Sequence, residues 1–115
     1  MAATLLIGKD DALLEGLAQS LAAAGHRTRI VQTIRDGIAA AAESLPLVAV
    51  VDRTLALDDR ELLSMPLARG GALVLFCSEQ MDEPPLSSAL QRSVLADLTL
   101  PLERHRLLAL VQRVA

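Results

Sequence analysis

Aromatic side chains are nearly missing from this chain. Phe76 is the only one among 115 residues, and there is no Trp or Tyr. A platform that stacks single-stranded bases needs such rings, so that class of binding finds no support. A surplus of positive charge is missing too. The formal net charge is −3, which argues against direct contact with DNA or RNA. Cys77 stands alone, so no internal disulfide can form, and a reducing compartment is the simplest fit. The longest apolar run, residues 45–51, contains Pro46 and is far too short to span a bilayer. Residues 1–4 carry no basic segment ahead of the apolar stretch, unlike a secretory signal. These absences lead us to expect a cytoplasmic domain with no membrane partner and no nucleic-acid partner of its own.

What is abundant is aliphatic. Hydrophobic residues make up 52% of the chain, so the core must be built from Leu, Val, Ile and Ala. The length suits one domain, residues 1–115, with one real core. No repeat, linker or low-complexity tract interrupts it. The pattern stops directly after a helical stretch, as expected for a module of a longer protein.

Short apolar runs alternate with helical periodicity along the chain. Residues 4–8 read as a buried first strand. Asp10 and Asp11 then offer oxygens to the free N–H groups of a helix carrying Leu13, Leu14, Leu17, Leu21 and Ala24, with Gly25 placed to end it. Residues 28–33 read as a short, partly exposed second strand. Thr33 is a natural N-cap with Asp36 three residues on, and Ile34, Ile38, Ala41, Ala42 and Leu45 mark one face of the helix that Pro46 ends. Residues 47–51 form the third strand. Asp58 and Asp59 can start a short helix with Leu62 and Leu63, which Met65-Pro66 cuts. Gly70-Gly71 turns the chain into a fourth strand, residues 72–77. A polar loop with Pro84-Pro85 precedes a helix over residues 86–92. The fifth strand falls in the second half of residues 94–100. Pro101 follows, and Leu107, Leu108, Val111 and Val114 mark the last helix.

Five such units imply a parallel sheet covered on both faces with right-handed crossovers. The fold expected is a flavodoxin-like (βα)5 three-layer sandwich with strand order 2-1-3-4-5. That order sets the ends of the first and third strands side by side, where open α/β sheets keep their chemistry. Gly8, Lys9 and Asp10 would then face Asp52, which ends the run Leu47-Val48-Ala49-Val50-Val51. Gly8-Lys9 belongs to no GxxxxGK[ST] pattern and no GxGxxG occurs, so nucleotide sites have no support.

At these residues the chain resembles the receiver domain of two-component response regulators, the CheY-like family, over essentially its whole length. The stretch from Asp10-Asp11-Ala12-Leu13-Leu14-Glu15 through Ala24-Gly25-His26 is similar to a receiver's first helix and following turn. Asp52 falls at the phosphoacceptor position, and Pro101 matches the proline after the family's lysine. The departures are systematic. The acidic pair that helps receivers hold magnesium corresponds to Gly8 and Lys9, with Asp10 one residue later. The Thr or Ser ending the fourth strand corresponds to Cys77, and the lysine to Leu100. Residues 53–57 replace the usual turn after the acceptor.

Phosphoryl transfer to a carboxylate depends on positioning and on neutralising charge on the equatorial oxygens. Magnesium needs several oxygen ligands in near-octahedral geometry. Asp52 with Asp10 is a poor cage, Lys9 adds a repelling charge, Leu100 removes a donor, and a thiol is a weak one. The resemblance therefore implies a degenerate pseudo-receiver. No cofactor is expected beyond a weak magnesium site at Asp10 and Asp52, and Lys9 is expected to pair with Asp52 in the metal's place. The expected role is phosphorelay signalling through protein contacts, with an output domain or histidine kinase as partner and no enzymatic activity. The family's fourth helix, fifth strand and fifth helix suggest a docking or homodimer face carrying Arg104, Arg106 and Arg113. His26 and His105, lacking partners at metal spacing, are expected at the surface.

Two other readings stay open. One is a conventional receiver phosphorylated on Asp52 by a histidine kinase. The other, from a different class, is an enzyme or group carrier on the same fold using Cys77.

Overall fold

Strand and helix follow one another from the first described residue. The computed structural model describes residues 3–55, 59–78, 88–100 and 103–114. The elements are β1 (Ala3–Ile7), α1 (Asp11–Ala23), β2 (Arg27–Val31), α2 (Ile34–Glu43), β3 (Val48–Asp52), a 3-10 turn (Arg53–Leu55), α3 (Asp59–Leu63), β4 (Ala72–Ser78), α4 (Ser88–Ser93), β5 (Val94–Leu100) and α5 (Arg104–Val114). The expected Pro84-Pro85 loop, the onset of the fourth helix at Leu86 and Pro101 lie outside the described residues. All five strands pair in parallel, in the order β2-β1-β3-β4-β5. The flavodoxin-like arrangement expected from the alternation is therefore the one observed.

Alternation along each strand divides the core in two. Leu6, Val48, Val50, Val74, Phe76, Leu98 and Leu100 face α1 and α5, where they meet Leu14, Leu17, Leu21, Leu107 and Val111. Leu5, Ile7, Ala49, Val51, Leu73 and Leu75 face the other way, towards Ile34, Ala40 and Ala41 of α2 and towards Leu62 and Met65. Each fully buried leucine contributes about 2 kcal/mol of transfer free energy, so the core is mainly aliphatic, with Phe76 as its one ring.

The caps follow the sequence. Asp10 Oδ1 accepts from Leu13 N at 3.1 Å, and Thr33 Oγ1 accepts from Asp36 N at 3.0 Å. Gly25 and Gly70 take φ of +90° and +80°, the left-handed region that glycine reaches at no steric cost. The buried face of α2 differs from the expected one. Ile34, Gly37, Ala40 and Ala41 are buried, while Ala42 is exposed and Leu45 is 52% exposed. The cause is Gly37: a Cβ there would fall on Ile7 Cδ1. The missing side chain lets α2 approach β1 along the Gly37 line and turns the Ala42 side outwards. His26 is a second correction. It is buried, at 5% exposure, with Nε2 3.2 Å from Gln112 Oε1. The turn after α1 folds beneath the end of α5, so this imidazole joins two elements that are distant in sequence.

Candidate functional site

The ends of β1 and β3 adjoin, because Ile7 pairs with Val51 and the next residues on each strand are Gly8 and Asp52. Gly8 N donates to Val31 O at 3.1 Å. A Cβ built on Gly8 would stand 3.6 Å from Asp52 Cβ, 3.3 Å from Leu14 Cδ1 and 3.4 Å from Phe76 Cζ. Position 8 therefore does face Asp52, and apolar side-chain ends close in on the room a larger residue would use. Asp52 also pairs with Phe76 across β3 and β4. Leu100 is fully buried at the end of β5, in the same core cluster as Leu14 and Phe76.

Asp52 is half-buried. Its Oδ1 accepts from both Thr54 N and Thr54 Oγ1, each at 2.9 Å. An Asx-type cap of this kind stabilises the 3-10 turn that follows. Lys9, the chain's only lysine, is exposed. Among the described residues it forms no ion pair with Asp52, so the expected counterion is not in place. The reason is physical. An exposed ammonium is strongly hydrated and gains little from a surface pair, and the Asp52 oxygen already holds two donors. Asp10 is exposed, and its Oδ1 caps α1.

Magnesium fits these residues poorly. Gly8 supplies no side chain, Lys9 is a cation, and one oxygen each of Asp10 and Asp52 is engaged by a hydrogen bond. Among the described residues no three His, Cys, Asp or Glu side chains gather as a metal site, whereas magnesium demands an octahedral oxygen shell.

Cys77 is buried at 3% exposure. Its Sγ lies 3.8 Å from Leu98 O and 3.9 Å from Thr99 Oγ1, so the thiol points towards β5. Burial with the thiol turned onto a neighbouring strand is the setting of a structural cysteine.

The charged centre that sequence reasoning missed is Arg53. It is buried, and its Nη1 donates to Asp97 Oδ2 on β5 at 2.8 Å, with side-chain exposures of 4% and 31%. A basic residue directly after an acidic strand end is the only trace of it in the sequence.

Arg104, Arg106 and Arg113 lie exposed on α5. Arg106 Nη1 pairs with Glu103 Oε2 at 3.1 Å. Glu103 Oε1 also accepts from Thr99 N at 2.8 Å. The Thr99 backbone bond first, then the Arg106 bond, hold this carboxyl below its ordinary range. Arg104 borders a cleft of about 250 Å3 between α1 and α5, lined also by Ala12, Leu13, Gly16 and Leu17. A second cleft of about 230 Å3 lies between β2 and the end of α2, beside Arg27, Arg29 and Ser44. Neither is lined by Asp52, Gly8 or Lys9.

Comparison with known proteins defines the class of fold. No protein-family model matches the chain, and no curated protein matches it by sequence. Solved structures do match. The chain superposes on a CheY-like receiver domain from Methylobacillus flagellatus with a TM-score of 0.80 and 16% identity, covering 100% of this chain and 99% of that one. The pseudo-receiver domain of CikA gives a TM-score of 0.68 at 18% identity, over 99% and 97% of the two chains. NtrX from Brucella abortus, solved with ADP, gives 0.76 at 20% identity, over 98% of this chain but only 26% of NtrX. The fold is that of response-regulator receiver domains, as the sequence resemblance implied. This chain spans about a quarter of NtrX.

Proposed function

We propose that this chain is a receiver-like signalling domain of a two-component or phosphorelay pathway that works without magnesium-dependent phosphorylation of Asp52. The observation that carries the reading is the composition of the cleft. An acceptor-position carboxylate is kept at the end of β3, while Gly8, Leu14, Phe76 and Leu100 make its surroundings small or apolar. Charge that builds on phosphoryl oxygens would meet neither a well-formed metal site nor, at the Leu100 position, a lysine. Output then runs through protein contacts, with an output domain or a histidine kinase as partner and no enzymatic activity. In this reading the chain is the N-terminal module of a longer cytoplasmic protein. In NtrX the matching part is about a quarter of the chain, and no helix of the described residues is long and apolar enough to cross a membrane.

The test is incubation with acetyl phosphate, and separately with beryllofluoride, in the presence of magnesium. Intact-mass spectrometry and amide NMR are expected to show no stoichiometric adduct. A magnesium-dependent adduct that Asp52→Asn abolishes would overturn the reading. It would favour the conventional receiver, for which the partial exposure of Asp52 speaks.

The proposed contact surface is α4, β5 and α5. Leu95 is 49% exposed on β5, and Arg104, Arg106 and Arg113 supply charge. Two copies meeting there across a two-fold axis would form a self-complementary interface. Light scattering at high concentration is expected to give a dimer mass for the wild type and a monomer mass for Arg104→Glu/Arg106→Glu. A monomeric wild type, or a dimer indifferent to the substitutions, rules the dimer out.

A further inference from the structure

We propose that the free edge of β2 is a docking site for an extended, acidic segment of another protein, which adds to the sheet beside β2 and places an aliphatic side chain in the cleft between β2 and the end of α2. The site lies at the opposite edge of the sheet from β5 and does not involve Asp52.

Strand β2 is outermost in the sheet and pairs with β1 alone. Gly8 N donates to Val31 O. By alternation the backbone groups of Arg27, Arg29 and Val31 turn towards β1, and those of Thr28 and Ile30 turn outwards. Thr28 and Ile30 are only partly buried. An edge of this kind offers N–H and C=O groups to an added strand.

The cleft beside this edge has a volume of about 230 Å3. Leu5, Ala40, Ala41 and Pro46 are buried and form its apolar floor. Leu45, next to Pro46, is 52% exposed and adds apolar surface at the rim. Small-molecule pockets typically hold about 300–1,000 Å3 and enclose most of their ligand. This cleft is smaller, so it fits one side chain of a longer ligand.

Charge selects that ligand. Arg27 pairs with Ala3 and Arg29 with Leu5, and Val31 packs into the core on the α2 side. Both arginines therefore stand on the α2 face, where they line the cleft. Both are exposed. Arg29 meets Glu43 at 3.4 Å, with side-chain exposures of 58% and 72%, a pair that water weakens and another carboxylate can replace. Among the described residues Arg27 forms no ion pair. A third exposed arginine, Arg69, follows Ala68, whose N donates to Pro46 O at 2.8 Å. Basic groups thus gather at this edge of a chain whose net charge is −3. The C-terminal end of α2 bears partial negative charge. Ligand carboxylates therefore belong over Arg27 and Arg29, and the aliphatic side chain over Ala40 and Ala41.

A second copy of this chain does not suit the edge. Two β2 strands meeting would set arginine against arginine, and like charges across paired strands repel. In an extended strand alternate side chains share one face. The partner segment thus needs a carboxylate, an aliphatic group and a second carboxylate at every second position.

The experiment uses the whole chain and a capped synthetic peptide in which glutamate and leucine alternate at every second position, with threonine between them. Titration followed by amide NMR is expected to move the resonances of residues 27–31 and 40–44 and to slow exchange at Thr28 and Ile30. Arg27→Gln/Arg29→Gln should weaken binding about tenfold, while Arg92→Gln on α4 should leave it unchanged. Salt at about 1 M, where the Debye length is about 3 Å, should weaken it in the wild type. A scrambled peptide of the same composition should bind less well. Resonances of residues 27–31 that stay fixed at millimolar peptide would overturn the proposal. So would equal binding of the scrambled peptide, which would reduce the edge to general attraction of charge. A folded double arginine variant that binds like wild type would overturn it as well. One readout needs no variant: Thr28 and Ile30 amides already protected in the chain alone at high concentration would show the edge to be covered, by a second copy or by the chain itself, and would end the proposal.

Discussion

Leu100→Lys is expected to lower the unfolding free energy by about 3 kcal/mol, the scale for placing a charge where no partner meets it, reduced because the aliphatic stem can carry the ammonium towards water. Leu100 is fully buried in the cluster holding Leu14, Phe76, Leu107 and Val111. In receivers the lysine at this place works beside acidic side chains, and here position 8 has none. For a domain of this length the loss corresponds to a fall in Tm of roughly 12 °C. Urea unfolding of wild type, Leu100→Lys and Leu100→Met measures it. The methionine variant should stay within about 1.5 kcal/mol of wild type because volume and polarity are kept. A lysine variant as stable as wild type would mean that the ammonium has found Asp52. That result would show the cleft to be more polar than its lining indicates and would count against the degenerate reading. Even a folded Leu100→Lys should take up no phosphoryl group from acetyl phosphate, since the lysine alone brings no metal ligand.

The sequence made the parallel, doubly covered sheet legible through a single physical regularity. Runs such as Leu47-Val48-Ala49-Val50-Val51 are apolar at every position, and only a strand buried on both faces needs that. The neighbouring positions of Gly8 and Asp52, the caps at Asp10 and Thr33, and the turn at Gly70 follow from local chemistry and are found where expected. What could not be read depends on packing. Lys9 and Asp52 were correctly expected to lie on adjacent strand ends, but adjacency does not decide between hydration and pairing, and hydration prevails for an exposed lysine. His26 looked like a surface residue because its partner Gln112 lies 86 positions away. Arg53 left only the trace of a basic residue after an acidic strand end, because burial of its side chain depends on the spacing of β3, β4 and β5, and Asp97 comes within reach only once the sheet exists. The buried face of α2 was misplaced because Gly37 acts through the side chain it lacks, which a count of apolar residues passes over.

Phe76→Ala is expected to cost about 3–5 kcal/mol, the range for removing a buried phenylalanine from a packed core. The ring is 2% exposed, and no other aromatic residue in the chain can move in to fill the space. A domain whose total stability is about 5–15 kcal/mol loses a large share of it, and denaturant unfolding should show an earlier midpoint with little change in slope. The place of the cavity matters more than its cost. Phe76 Cζ lies 3.4 Å from where a Gly8 Cβ would stand, and Asp52 Cβ lies 3.6 Å from the same point. Gly8→Asp in the wild-type background must push against both Leu14 and Phe76, and the closeness of its carboxylate to Asp52 adds like-charge repulsion. In the Phe76→Ala background the steric part of that penalty falls while the repulsion remains. The double variant should therefore be less destabilised than the sum of the two single variants, by about 1 kcal/mol, as for residues that share a cavity. Adding magnesium then separates the two contributions. If the metal raises the midpoint of Gly8→Asp/Phe76→Ala and leaves Phe76→Ala unchanged, the missing acid and the intruding ring together account for the poor metal fit of this cleft. If the penalties simply add and magnesium has no effect, the ring is ordinary core packing, and the chemistry around Asp52 is limited by Gly8 and Lys9 alone.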